Sequence, residues 1–165
     1  MEKCQPTRSP SLKEKGVDSY DNTLVPKSGL MEEVNEVFLF HGTNPDVADK
    51  VIETYFEERL ANLGGFYGAG AYFAEKSSKS DQYTSADSQG RHHMFVARVA
   101  LGSHVKETKV HCNNVRILGE IPGGSGVRFS SLLDLAGHVR EFIVFDGGQA
   151  YPEFLITYER TRERR

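Results

Sequence analysis

The stretch that decides the fold is GGFYGAGAYFAEKSSKSDQY, residues 64–83. Four of its first seven residues are glycine, an aromatic pair follows, and a segment bearing serine and lysine ends at Tyr83. Glycine at this density is typical of backbone that another group approaches closely. That group could be a phosphate, a flat ring or the neighbouring chain.

Two phosphate-binding motifs are excluded in this stretch. Gly68-Ala69-Gly70 supplies G-x-G, but a dinucleotide fingerprint needs a third glycine where Phe73 stands, together with a long following helix. No Gly-Lys-Ser/Thr follows, which excludes a P-loop. The remaining features are Tyr72 and Tyr83, which either enclose a flat ring between their faces or are two core tyrosines beside a tight turn.

Two further residues combine an apolar strand pattern with a titratable group. His41 follows the strand pattern VFLF (residues 37–40), where a lone histidine is more often structural than functional. Glu141 begins EFIVF (residues 141–145), so its carboxylate shares a strand face with Ile143 and Phe145. Burying an unpaired charge costs several kcal/mol. Glu141 therefore either has a partner or a function, or caps the strand just outside the core.

Bulk composition restricts the classes of protein. The chain has 165 residues, 38% hydrophobic and 26% charged, which suits one globular domain. A net charge of −3 argues against a domain that binds nucleic acid. Two cysteines form no disulfide framework, and the absence of a secretory or membrane-spanning run predicts an intracellular protein, nuclear or cytoplasmic, with no membrane partner.

The pattern along the chain predicts an α+β fold in one domain. Residues 1–30 read as a linker or disordered arm, residues 31–160 as the domain and residues 161–165 as a basic tail. A helix is predicted after Asn44-Pro45, with Val47, Val51, Ile52 and Tyr55 near one face, and a shorter helix at residues 77–83. Strands are predicted at residues 37–40, 71–74, 93–101, 141–145 and 153–158, with mixed structure at 103–138.

Three segments in this order resemble one family. They are FLFHGT (residues 38–43), the glycine-rich stretch at 64–83, and REFIVFDGGQAYPEFLITY (residues 140–158). Together they resemble the catalytic domain of the poly(ADP-ribose) polymerases. Two segments, GAGAYFAEKSSKSDQY and QAYPEFLITY, are similar to those of tankyrases. The resemblance implies an ADP-ribosyltransferase fold of two packed, mostly antiparallel β-sheets with a few short flanking helices. It also implies NAD as a co-substrate.

The resemblance also assigns roles to residues. The family's His–Tyr–Glu catalytic triad falls on His41, Tyr72 and Glu141, with His41 on the adenosine ribose and Glu141 beside the nicotinamide ribose. Tyr72 and Tyr83 would enclose the nicotinamide ring, and the glycines of residues 64–70 would let the backbone and Tyr72 approach that ring. The remaining NAD-binding assignments are the Gly42 backbone and Ser80 hydroxyl on the carboxamide, Lys79 near Glu141, Thr43 on the ribose side, and Arg59 on the adenosine half.

The implied activity is transfer of ADP-ribose from NAD to protein acceptors, including the chain itself, with release of nicotinamide. The complete triad favours elongation to poly(ADP-ribose), since members that transfer one unit often have an apolar residue in place of Glu141. HMFVARVALG (residues 93–102) looks more like the branch that transfers single units, which makes mono-ADP-ribosylation the alternative. A non-catalytic module that binds NAD or ADP-ribose is the alternative from another class, and nicotinamide-like inhibitors are expected ligands.

No metal is expected. Tankyrases carry a zinc site after the short helix, but the corresponding TSADSQGRHH (residues 84–93) has no cysteine. His92 and His93 are adjacent on a strand and point to opposite faces, and His111 and Cys112 lie far along the chain.

Overall fold

The computed structural model of the chain describes residues 29–57, 61, 64–124 and 126–161. Residues 1–28 of the predicted arm, residues 162–165 of the predicted tail and Arg59 lie outside these ranges. Within the described ranges, no helix has the length and apolar character needed to cross a membrane.

The described residues form seven strands and two α-helices, which confirms the predicted α+β class. The helices are α1 (Pro45–Thr54) and α2 (Ser77–Ser80), and 3₁₀ turns occur at Glu32–Val34, Asp81–Tyr83 and Gly147–Gln149. The strands are β1 (Glu36–Thr43), β2 (Ala71–Ala74), β3 (His92–Ala100), β4 (Val105–Thr108), β5 (Ser131–Asp134), β6 (Glu141–Val144) and β7 (Ala150–Tyr158).

The seven strands join in one order, β4-β5-β6-β2-β1-β3-β7, where two packed sheets were predicted. The joint between β1 and β2 is narrow, because these strands pair only at Phe40 and Ala74, whereas β1 pairs with β3 at eight positions. The sheet thus has two halves, β4-β5-β6-β2 and β1-β3-β7, and all pairs except β4–β5 are antiparallel.

One hydrophobic core ties the two halves together. Phe95, Ala97 and Val99 from β3 belong to the same buried cluster as Phe73 from β2 and Phe142 from β6. The opposite face of β3 is buried too, with Met94 and Val96 in a second cluster. Both faces of β3 therefore carry buried apolar side chains.

Helix α1 begins as predicted and buries a narrower part of the predicted face. The Val47 N–H donates to Asn44 Oδ1 at 2.9 Å, and Pro45 occupies the first turn. The buried residues are Ala48 and Val51, whereas the predicted core residue Ile52 is 54% exposed. Val51 lies near the middle of that face, whereas Ile52 is about 100° further round the helix, at its edge, and faces solvent.

The region predicted as mixed structure contains β4 and β5, which the sequence pattern did not indicate. Each strand has only four residues, and all four of β5 are buried, so neither shows a polar–apolar alternation. The antiparallel pairing of β5 with β6 places Asp134 opposite Glu141.

Strand β7 begins three residues before the predicted start, with Pro152 beside a register shift on the edge strand.

Candidate functional site

A cavity of about 360 Å³ brings together six of the predicted site residues. Its described lining consists of His41, Gly42, Gly64, Gly65, Phe66, Tyr72, Phe73, Ala74, Ser80, Tyr83 and Glu141. A larger cavity of about 770 Å³, bordered by Val34 and Gly102 near the other end of β1, contains none of the predicted site residues. The 360 Å³ cavity is therefore the candidate site.

The candidate cavity lies at the narrow joint between β1 and β2. Beside the single Phe40–Ala74 pair, side chains take over the hydrogen bonds of the backbone carbonyls. Ser80 Oγ donates to Phe40 O at 2.9 Å, and His41 Nδ1 donates to Tyr72 O at 2.8 Å. Two predicted site residues thus satisfy the backbone at the gap in the sheet.

His41 is held in a defined orientation and charge state. Its ring packs against Phe56 and Phe73, with centroid distances of 5.1 and 5.5 Å. Burial lowers the pKa of His41, and the bond to Tyr72 O opposes this only in part. Because Nδ1 donates to a carbonyl, the neutral ring leaves Nε2 as a hydrogen-bond acceptor.

Tyr72 is fixed through its hydroxyl. Tyr72 Oη donates to Gly68 O at 2.9 Å and accepts from the Tyr67 N–H at 2.9 Å. A Cβ on Gly65 would lie 2.5 Å from this oxygen, so only glycine leaves room for it. Burial raises the pKa of Tyr72, and the Tyr67 hydrogen bond acts in the opposite direction. The phenol stays neutral and serves as an anchor of the loop.

Most glycines around the site make room for the protein's own chain. A Cβ on Gly42 would lie 1.8 Å from Ser80 O, one on Gly68 would lie 2.2 Å from Val115 O, and one on Gly70 would lie 2.4 Å from the Ile143 side chain. Among the described glycines, Gly42, Gly64 and Gly65 line the cavity. The expectation that the glycine-rich stretch mainly admits a ring is therefore corrected, since close packing of neighbouring chain is its larger role.

Glu141 has the partner that its sequence position called for. It is 9% exposed, and Lys79 Nζ lies 3.1 Å from Glu141 Oε2. Burial alone would lower the pKa of Lys79, but the Glu141 carboxylate outweighs it and the pKa is raised. Lys79 is therefore a cation at neutral pH, in the position predicted for it.

Tyr83 completes the wall beside Glu141. Its hydroxyl donates to Glu141 Oε1 at 3.5 Å, and Lys79 Nζ lies 5.7 Å from the centre of its ring. The residue is 53% exposed, so a ring face is accessible from the cavity. Tyr72 and Tyr83 thus border the same cavity, as the ring-binding hypothesis requires.

Besides Lys79, which reaches the lining only through its ion pair with Glu141, two other predicted residues do not join this lining. Thr43 is buried at the end of β1, and Arg59 lies outside the described residues. A second cavity of about 240 Å³ also borders His41 and extends along α1 past Val47 and Lys50 to Glu57. His41 therefore stands between two adjoining cavities.

Phe66 is a lining residue that sequence reasoning missed. It is 64% exposed, stacks on His111 with 4.4 Å between ring centroids, and its carbonyl accepts from the Cys112 N–H at 2.8 Å. Its place inside the glycine-rich stretch was the signal available in the sequence.

The candidate metal ligands serve other purposes. His92 contacts Thr84 at 2.9 Å and His93 contacts Asp87 at 3.3 Å. Over the part of the chain that the structure describes, no three His, Cys, Asp or Glu side chains cluster as a metal site would need. The expected absence of a metal stays a prediction.

Comparison with known proteins adds independent findings. The family described as the poly(ADP-ribose) polymerase catalytic domain matches residues 16–160. Protein mono-ADP-ribosyltransferase PARP12 from Mus musculus is 35% identical over 128 residues, which cover 77% of this chain and 17% of the relative. Protein mono-ADP-ribosyltransferase PARP14 from Homo sapiens is 30% identical over 168 residues, which cover 97% of this chain and 9% of the relative.

The chain thus spans less than a fifth of the length of these two relatives. Neither is named as a tankyrase, so the predicted similarity to tankyrases in particular is not supported. The broader resemblance and the ADP-ribosyltransferase fold are confirmed, since the family match covers most of the chain. This chain belongs to the poly(ADP-ribose) polymerase catalytic-domain family.

Proposed function

We propose that this chain transfers single ADP-ribose units from NAD to protein acceptors, itself included, and releases nicotinamide. The observation that carries the proposal is the cavity of about 360 Å³ that joins Tyr72, Tyr83 and Glu141 to His41 and Gly42. Its size lies in the range of small-molecule sites, roughly 300–1,000 Å³. A nuclear or cytoplasmic location stays a prediction.

The nicotinamide end of NAD would bind between Tyr72 and Tyr83. Tyr83 offers an accessible ring face, and Tyr72 is held in place by its hydroxyl. The Gly42 backbone would bind the carboxamide. Ser80 Oγ donates its proton to Phe40 O, so its lone pairs are left to accept from the carboxamide N–H.

Glu141 would promote cleavage of the bond between ribose and nicotinamide. The leaving ring is already cationic in NAD, and positive charge builds on the ribose as this bond breaks, as in glycoside hydrolysis. A carboxylate held beside the ribose stabilises that charge, and one well-placed electrostatic group contributes roughly 3–4 kcal/mol. Lys79 fixes the carboxylate through the 3.1 Å ion pair.

His41 would bind the adenosine ribose. Its Nδ1 is committed to Tyr72 O, which leaves Nε2 to accept from a ribose hydroxyl. His41 also borders the second cavity of about 240 Å³, which offers space for the other half of NAD beyond the nicotinamide site.

The relatives favour transfer of single units, because both are named mono-ADP-ribosyltransferases. A second candidate function is elongation to a polymer. Glu141 supports this candidate, because its carboxylate lines the cavity and can polarise the hydroxyl of an incoming ADP-ribose.

Incubation of the chain with NAD labelled in its adenosine half, followed by a denaturing gel, tests the proposal. We expect a discrete labelled band. A smear of high mass would favour elongation, and saturable NAD binding with no labelled protein would favour the non-catalytic module. Glu141→Gln is the matched variant, and it should lose the label.

A further inference from the structure

The segment that carries Lys79, Ser80 and Tyr83 is too short to hold its own position. It consists of α2, with four residues, and the three-residue 3₁₀ turn that follows. Isolated helices of this length are unstable in water, so tertiary contacts must fix it. One of these contacts, from Ser80 Oγ to Phe40 O, involves a proposed NAD-binding residue.

A different contact fixes the segment through Asp81, which lies between Ser80 and Tyr83. Tyr158 Oη, at the end of β7, donates to Asp81 Oδ1. Arg160 Nε donates to the same oxygen at 3.1 Å, and Arg160 Nη2 donates to the Asp81 carbonyl at 2.6 Å. We name Asp81, Thr84, Tyr158 and Arg160 the Asp81 clamp.

Within the clamp, Thr84 is the residue that approaches the cavity wall at Gly42. Its hydroxyl donates to Asp81 O at 2.9 Å and accepts from Arg160 Nη2 at 3.1 Å. Its methyl carbon lies 3.0 Å from the point where a Cβ on Gly42 would stand. A shift of the clamp therefore changes the spacing between Gly42 and the segment with Ser80 and Tyr83.

The charge state of Asp81 fits this arrangement. Burial alone would raise the pKa of Asp81, but the hydrogen bonds from Tyr158 and Arg160 outweigh it and lower the pKa. The carboxylate is therefore an anion at neutral pH and a strong acceptor for both donors. His92, whose ring stacks on Tyr158 with 5.7 Å between centroids, supports the phenol from its other side.

We propose that the Asp81 clamp positions Ser80 and Tyr83, so that the residues at and beyond the end of β7 set the affinity of the cavity for the nicotinamide end of NAD. This inference rests on the proposed function. None of the clamp residues lines the cavity. They are therefore positioning residues, and they act through the placement of Ser80 and Tyr83.

Calorimetric binding of benzamide, the analogue of nicotinamide without its ring nitrogen, tests the clamp in the full chain. Arg160 is about half exposed, so Arg160→Ala should fold. We expect it to weaken benzamide binding by roughly fivefold, the size of one exposed ion pair with its hydrogen bonds. The KM for NAD should rise by a similar factor while kcat changes less than twofold.

Two further variants separate positioning from general stabilisation. Arg160→Lys keeps the charge and should recover part of the affinity. Glu153, on β7, forms a comparable ion pair, 3.4 Å from Arg98 on β3. Glu153→Gln removes this pair and should bind benzamide as the wild type does. Equal affinity in wild type and Arg160→Ala, or a loss no greater than in Glu153→Gln, would overturn the clamp. Failure of the wild type to bind benzamide would instead overturn the proposed function.

Discussion

Single residues at the site have their charge states set by their neighbours. Glu141 is almost fully buried with Lys79 as its cationic partner, and His41 is kept neutral by burial. The sequence pattern left open whether Glu141 has a partner or a function, or caps the strand outside the core. The cost of a carboxylate on an apolar strand face made a partner one of these alternatives. It did not show that His41 donates to Tyr72 O, because that bond depends on how β1 and β2 separate.

Loss of Lys79 should leave an unpaired, buried carboxylate. We expect Lys79→Met to lower the free energy of unfolding by about 1–2 kcal/mol, less than for a fully buried pair because Lys79 is partly exposed. Urea denaturation measures this. Adding Glu141→Gln should restore part of the loss, because the unpaired charge is gone. Equal stability of the single and double variants would contradict the coupling.

His41 should make stability depend on pH. Burial holds its pKa below the unfolded value, so the unfolded chain takes up a proton first as the pH falls. The contribution of neutral His41 is therefore present above the unfolded pKa, about 6.5, and is lost below it. Between about pH 7.5 and 5.5, the wild type should lose more unfolding free energy than His41→Gln. Urea denaturation measures the unfolding free energy at each pH. An equal change in this free energy for the two proteins would refute the expectation.

At the scale of elements, the sequence predicted those helices and strands that have a local pattern, and it missed strands that depend on pairing between distant segments. Asn44 and Pro45 predicted the start of α1, and the strand pattern in residues 93–101 predicted β3. Strands β4 and β5 were missed because their parallel pairing joins distant, four-residue segments. Such pairing leaves no periodic pattern in the sequence.

The conformation of the glycine-rich loop should depend on the absence of a side chain at Gly65. Gly65→Ala would place a Cβ 2.5 Å from Tyr72 Oη and 2.9 Å from Gly68 O. We expect displacement of the phenol, a loss of stability of about 1–3 kcal/mol, and weaker benzamide binding by calorimetry. Gly119→Ala is the matched control, since its Cβ meets nothing within 4 Å. A Gly65→Ala protein that behaves like this control would show that the loop does not need the tyrosine anchor.

At the scale of the whole molecule, the candidate site lies where the two halves of the sheet meet. Residues of both halves share one core, while β1 and β2 pair at a single position beside the cavity. The family resemblance predicted which residues would gather there, and six of them line the cavity. It implied two packed sheets, and the single Phe40–Ala74 pair that joins them could not be seen in the sequence.

The rate of nicotinamide release at saturating NAD is the measurement that tests the central claim most directly. Wild type and Glu141→Gln are compared, with Glu153→Gln as a control on a partly exposed glutamate outside the cavity. If Glu141 stabilises charge on the ribose, Glu141→Gln should lower the rate by about 10²–10³-fold while Glu153→Gln changes little. A Glu141→Gln protein that releases nicotinamide as fast as the wild type would contradict the account.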